Sequence, residues 1–241
     1  YFEFTPSILR TLVDSNHAKK IQIKHSQYLK KTNLIFNEVS NISDKLVETK
    51  KGRKYLYDYL IIASGSSYNR PIKEKNLVLA DRTEELIEST EQLREANSVL
   101  IIGGGLVGVE LAGEIVETFP KKKITLVQSN SEVIPRNHLK TRKQCKKYLE
   151  SKGVEIIFNC KAKPLGNGGY LINTEKRKYD LSFSCVGINP NSDFIDSKLL
   201  DSRGFVKVND HMQIIGKKNV FAIGDVNNEK EEKTAQVAEV Q

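Results

Sequence analysis

The chain has no tryptophan, a single methionine, three cysteines and six prolines in 241 residues. Its cysteines, Cys145, Cys160 and Cys185, are odd in number, far apart and form no C-x-x-C pair. That spacing argues against a disulfide scaffold, a zinc site or a redox dithiol within the chain, and for a reducing compartment, with each thiol a small packing residue. The four histidines, His17, His25, His138 and His211, show no ligand spacing, so no metal is expected. No apolar run approaches the roughly 20 residues that a membrane-spanning helix needs. The charge is of one sign, with 38 Lys+Arg against 30 Asp+Glu for a net +8. An arginine-rich stripe and interleaved aromatics are missing, however, so no specific nucleic acid partner is expected. Lysines at Lys19-Lys20, Lys50-Lys51, Lys140 to Lys147 and Lys217-Lys218 read as solvated faces that also attract an anionic cofactor or lipid surface.

What is present centres on Val99-Leu-Ile-Ile-Gly103-Gly104-Gly105-Leu106-Val107-Gly108-Val109-Glu110-Leu111-Ala112-Gly113-Glu114. Aliphatics favouring a strand run into clustered glycines and then into an apolar helical pattern, the context a G-x-G-x-x-G dinucleotide fingerprint requires. Gly103 is expected to make the tight turn, Gly105 to let a pyrophosphate approach the backbone, and Gly108 to pack helix on strand. The pyrophosphate then sits on the helix N-terminus, with its unpaired amides and positive dipole. A second strand at Ile124-Thr-Leu-Val127 completes a βαβ unit. After that strand an acidic residue would grip the ribose diol of NAD and repel the 2′-phosphate of NADP. Here Gln128 stands there, followed by Ser129, Asn130 and Ser131, which predicts tolerance of both nucleotides. Arg136 is the nearest arginine, and it reads equally as an exposed loop residue.

Elsewhere the pattern predicts a short helix from Ser7, a strand at Ile21-Gln-Ile23 and antiparallel strands over 33–49 with a turn near Ser43-Asp44. Residues 57–65 read as a buried strand ending in Ala63-Ser64-Gly65, and 81–97 as a charged helix with Asp81 and Thr83 as cap candidates. A helix over 138–152, a strand at 154–158, short strands over 170–186 and a strand at 219–225 follow. The chain opens at Tyr1 rather than methionine and stops inside a helical pattern, and so reads as an excerpt of a longer protein.

Four motifs fall in a familiar order. Ala63-Ser64-Gly65 with Pro71, the fingerprint 103–110, Ser184-Cys185-Val186-Gly187 and Phe221-Ala222-Ile223-Gly224-Asp225 resemble the successive turns of flavoproteins with two dinucleotide-binding domains. Glu114-Ile-Val-Glu-Thr-Phe-Pro120, Lys123-Ile-Thr-Leu-Val127 and Asn209-Asp210-His211-Met212-Gln213 resemble the apoptosis-inducing-factor-homologous, ferroptosis-suppressor family. The opening Phe2-Glu-Phe-Thr-Pro6 is similar to type II NADH dehydrogenases. The resemblance implies an α/β fold of two Rossmann-like three-layer domains. A discontinuous FAD-binding domain is expected over 1–72 and 190–241, with its N-terminal βαβ unit preceding Tyr1, and an NAD(P)-binding domain over 73–189.

The implied activity is hydride transfer from NAD(P)H to FAD, with electrons passing to a small-molecule acceptor of quinone type. Ser64, Gly65, Gly187, Gly224 and Asp225 are implied to line the flavin, with Asp225 accepting from ribityl hydroxyls. Glu110 and Lys73 are implied at the flavin–nicotinamide junction, where an ammonium stabilises the anionic reduced ring. The bare residues leave alternatives: Asp225 as a strand-end cap, Glu110 as a surface carboxylate, and Lys73, beside Lys75, as a solvated loop cation. No cysteine occurs in residues 1–144, so electrons are expected to leave the flavin directly. Two other readings stay open: a signalling flavoprotein with weak catalysis, and a disulfide or peroxide reductase whose cysteine precedes Tyr1. The implied location is cytoplasmic or peripheral on an intracellular membrane through the termini, mitochondria included.

Overall fold

The computed structural model describes residues 1–68, 71–73, 79–231 and 233–241; Lys75 lies outside them. The chain divides into two compact units. The first comprises Tyr1, Glu3–Gln22 and Tyr68–Gly187, and the second Phe2, Ile23–Ser67 and Ile188–Gln241.

The first unit is built on a parallel sheet with strand order Glu155–Ile157, Lys123–Val127, Ser98–Ile102 and Leu181–Ser184. Val99, Leu100 and Ile101 are fully buried, as expected of a central parallel strand covered on both faces. Truncating one such side chain to alanine costs about 2–5 kcal/mol. Helices Leu79–Glu95, Leu106–Thr118 and Leu139–Ser151 accompany the sheet. A three-stranded antiparallel meander, Lys163–Gly166, Gly169–Ile172 and Glu175–Lys178, turns through positive φ at Asn167, Gly168 and Asn173.

Glu3–Gln22 pack with this unit, and its edge falls at 67/68 rather than at the expected 72/73. Ile8, Leu9 and Leu12 share one core with Leu86, Leu93, Val99 and Leu111, so apolar burial draws the segment there. The strand expected at 21–23 is present as Gln22–Ile23, while Ile21 closes the preceding helical turn Ala18–Ile21, because spacing of three puts Ala18 and Ile21 into the same core. The charged helix begins at Leu79, ahead of the predicted caps. Its Arg82 is 2% exposed and pairs with Glu3 and Glu85. Burial alone would lower the guanidinium's pKa, but the two carboxylates overcome it and hold the charge.

In the second unit Leu60–Ile62 pairs parallel with Val220–Ala222, and Ser66–Ser67 antiparallel with Asn189–Pro190. The antiparallel strands Val39–Ile42, Leu46–Thr49 and Lys54–Leu56 complete it. The core gathers Ile62, Ile195, Val206, Ile214, Val220 and Ala222. The strand predicted as buried over 57–62 is shorter and covered on one face: Ile62 is 5% exposed but Ile61 is 62%. Alternation of side chains across the pleat accounts for that contrast. Residues 34–36 form no strand, and Phe36 is largely exposed. Among the described residues no helix is long and apolar enough to cross a membrane.

Candidate functional site

Two turns carry the residues singled out by sequence. The first, 103–105, joins strand Ser98–Ile102 to helix Leu106–Thr118. Gly103 has φ +108°, and a Cβ there would lie 2.6 Å from Val186 Cγ1 and 2.8 Å from the Cys185 carbonyl oxygen. At Gly108 a Cβ would lie 1.9 Å from the Gly103 carbonyl oxygen, so the helix can approach its strand only with glycine there. Gly105 differs: it occupies the N-cap, no side chain caps the helix, and nothing lies within 4 Å of where its Cβ would be. The first amides of a 13-residue helix therefore keep their hydrogen-bonding capacity, and a bare backbone faces open space beside them. That arrangement fits a pyrophosphate.

Glu110 lies one turn into this helix and is exposed. Its carboxyl titrates above the ordinary value, chiefly because its surroundings desolvate the charge and secondarily because Glu114 repels it. Glu114 in turn pairs with Arg10 at 2.9 Å. Lys73 sits in the turn at 71–73, where its carbonyl accepts from the Tyr68 amide (3.2 Å) and Arg82 donates to the Ile72 carbonyl (3.3 Å). Gln128 follows the second strand as expected, but it is buried, and its carboxamide is engaged by the glycine turn itself. Gly187, after strand Leu181–Ser184, has φ +75° and open space at its Cα. Burial pushes the neighbouring Cys185 thiol up to about 12, so it is not a reactive thiolate.

The second turn system lies in the other unit. The Ser64 hydroxyl donates to the Asn191 carbonyl (2.6 Å), the Asn191 side chain donates back to the Ser64 carbonyl (2.9 Å), and the Asn191 amide donates to the Gly65 carbonyl (2.9 Å). Ser66, 2% exposed, donates from its hydroxyl to Asp225 Oδ2 at 2.7 Å. Asp225 follows Gly224, whose φ is +72° and whose amide donates to Gln241 Oε1. The carboxylate is held at the end of Val220–Ala222 in partial contact with solvent, a suitable acceptor for ligand hydroxyls. Lys233 donates to Asn227 nearby; burial lowers its pKa, and Asp225 opposes the shift. The sequence reading missed Ser66, Asn191 and Lys233; of these, only Ser66, one residue past the small-residue turn, left a local signal.

A parallel βαβ sheet, a glycine turn without spare volume at two positions and an open, uncapped helix N-terminus define a Rossmann-like dinucleotide-binding protein. The chain belongs to the pyridine nucleotide-disulphide oxidoreductase family, whose family model matches residues 2–241. Members of that family are oxidoreductases that bind FAD and NAD(P)H. Apoptosis-inducing factor homolog B of Dictyostelium discoideum is 32% identical over 259 residues, covering 94% of this chain. Ferroptosis suppressor protein 1 of Mus musculus is 29% identical, covering 97% of the chain. The chain spans 66% of the first relative's length and 67% of the second's. NDH2 of Plasmodium falciparum in complex with NADH superposes with a TM-score of 0.73 at 19% identity, over 94% of this chain and 57% of that one. Reduced CoADR-RHD of Bacillus anthracis gives 0.75 at 20%, over 96% and 46%. At those identities the two structures speak to the fold alone.

Proposed function

We propose that this protein is an FAD-dependent NAD(P)H oxidoreductase that passes electrons to a quinone-type small molecule. The observation that carries the reading is the pairing of tight glycines at 103 and 108 with the open, uncapped N-terminus at Gly105. In it the amides of 105–107 bind the pyrophosphate, and the family's FAD accepts hydride and passes electrons onward. Asp225, oriented by Ser66, accepts hydrogen bonds from ribityl hydroxyls. Ser64, Gly65, Gly187 and Gly224 let the backbone come close to the cofactors, three of them in the left-handed region that glycine adopts without strain. Glu110 and Lys73 are assigned to the junction of the two rings, where opposite charges orient the nicotinamide and balance charge during reduction. In this reading the unit of Tyr68–Gly187, with Glu3–Gln22 packed in it, binds the nicotinamide nucleotide, and Ile23–Ser67 together with Ile188–Gln241 bind the flavin.

A reductase working through a disulfide of these residues is disfavoured: all three cysteines are free, and Cys185 resists ionisation. A quinone-type small molecule and a setting in the cytoplasm or at the periphery of an intracellular membrane, mitochondria included, are the corresponding acceptor and location. The test is anaerobic mixing of the FAD-loaded protein with NADH or NADPH, followed by a short-chain quinone. Rapid bleaching of the flavin band and its recovery on quinone addition are expected. A flavin that neither nucleotide bleaches would overturn the proposal.

A further inference from the structure

Gln128 stands where a ribose-selecting side chain is expected, yet it is 6% exposed and its carboxamide is occupied by the chain itself. Oε1 accepts from the Gly104 amide (3.2 Å) and the Ser129 amide (3.1 Å), while Nε2 donates to the Glu132 carbonyl (3.1 Å). Its backbone is fixed as well: the Gln128 amide donates to the Ile157 carbonyl (2.8 Å), and the Cys160 amide donates to the Gln128 carbonyl (3.2 Å). Gly104 closes the circuit, because its carbonyl accepts from the Ile134 amide at 2.7 Å. A Cβ on Gly104 would lie 3.1 Å from Gln128 Cβ and 3.2 Å from Cγ, so the glutamine stem packs flat against the turn. Ile134 holds φ +38°, an uncommon conformation for a β-branched residue that persists only where its surroundings over-determine it. The three residues after Gln128, by contrast, are exposed.

We infer that Gln128 is a positioning residue whose carboxamide locks the glycine turn to loop 128–134, and that the choice between NADH and NADPH falls to Ser129, Asn130 and Ser131. The inference rests on the reading that turn 103–105 binds a pyridine nucleotide. Its chemistry is that of an amide: the site presents two N–H donors to one end of the side chain and a carbonyl to the other. A carboxylate would satisfy the first and confront the second with no proton between two oxygens. An acidic residue here therefore works against the turn before it can act on a ribose. Two hydroxyls and an amide carry no charge to repel a 2′-phosphate, which makes the site permissive for both nucleotides.

The test uses the 241-residue chain, with amide hydrogen exchange in the absence of ligand and equilibrium titrations with NADH and NADPH. In Q128M, which removes the acceptor, exchange at Gly104 and Ile134 should quicken by about tenfold, the loss expected for one buried hydrogen bond. In Q128E, which keeps that acceptor but sets an oxygen against the Glu132 carbonyl, the quickening should appear at Ile134. Both nucleotides should weaken by the same factor. S129D, N130D and S131D, made singly, should leave those amides protected, and at least one should disfavour NADPH over NADH by about tenfold through like-charge repulsion. Unchanged exchange in both Gln128 variants would overturn the inference. So would a Q128E protein whose NADH-to-NADPH preference rises about tenfold, or three aspartate variants that all keep the wild-type preference. If Q128M fails to fold, Q128E decides. A wild-type chain that binds neither nucleotide would refute the underlying functional reading, and the ligand-free exchange would still decide whether Gln128 is the lock.

Discussion

The two glycine turns differ in why they need glycine. At 103–108 the reason is space: an added Cβ would meet backbone or side chain at 1.9 Å from Gly108 and 2.6 Å from Gly103. At Gly224 the nearest atom to an added Cβ is 3.7 Å away, and the reason is the dihedral, φ +72°. The first turn is closed by its own neighbours, Gln128 and Ile134, and leaves one opening at Gly105. The second has no such steric closure and is held by polar contacts, with Ser66 on Asp225 and Gln241 on Gly224. A turn closed by packing tolerates no added side chain. A turn with room for a methyl group but a positive φ has only the backbone strain to lose, and its carboxylate depends on Ser66 for orientation.

The largest effect that would sharpen this contrast is at Gly108. Gly108→Ala should abolish measurable NADH binding and destabilise the protein by about 3 kcal/mol, the upper end for overpacking. A thermal melt should show Tm lower by roughly 6–12 °C. Gly224→Ala, with only the dihedral to strain, should cost about 1–2 kcal/mol. Equal losses in the two variants would remove the distinction.

Next in size is the reaction itself. Stopped-flow reduction of the FAD-loaded protein should slow by roughly ten- to a thousandfold in Glu110→Gln and in Lys73→Met, the range for losing one positioned electrostatic contact. Wild-type rates in both would return these residues to the surface charges that the bare sequence also allows. Smaller again is flavin retention. Asp225→Ala should weaken it by about 1.5–3 kcal/mol, through loss of charge-assisted hydrogen bonds. Ser66→Ala, which removes only the orienting hydroxyl, should cost about 0.5–1.5 kcal/mol. Flavin content after dialysis measures both.

The smallest expected effect is on stability against pH. The folded-state pKa of Glu110 is raised, so the native protein holds that proton more tightly than the unfolded chain. Its contribution is complete below the unfolded value and is lost as pH rises through the folded one. Glu110→Gln should therefore raise Tm slightly at neutral pH, by removing a desolvated charge and, secondarily, its repulsion with Glu114, and leave it unchanged below about pH 4. A neutral-pH Tm equal to or below wild type would contradict this.

How much was legible in the sequence divides along the same line. Gly103, Gly105 and Gly108 could be read from spacing because they share one local turn, although the contact that excludes a side chain at Gly103 comes from Cys185 and Val186, far away in sequence. The order of the four small-residue turns likewise carried the family assignment. Ser66 and Asp225 are 159 positions apart, and Ser64 and Asn191 are 127 apart, so neither pairing leaves a local pattern. Gln128 could be placed at its strand end, but not its engagement, since its partners come both from the glycine turn 24 positions earlier and from the irregular loop that follows it. Glu3–Gln22 joined the nucleotide unit through a burial pattern, Ile8, Leu9 and Leu12, that was visible as a helix but silent about which core it entered.

The claim on which the rest stands is that turn 103–105 is a pyridine-nucleotide site. Equilibrium titration of the 241-residue chain with NADH and with FAD tests it most directly, because the chain carries one G-x-G-x-x-G turn. Saturable one-to-one binding of NADH, tighter than that of FAD and lost in Gly108→Ala, is the predicted result. A chain that carries stoichiometric FAD through gel filtration and leaves NADH unbound would contradict it.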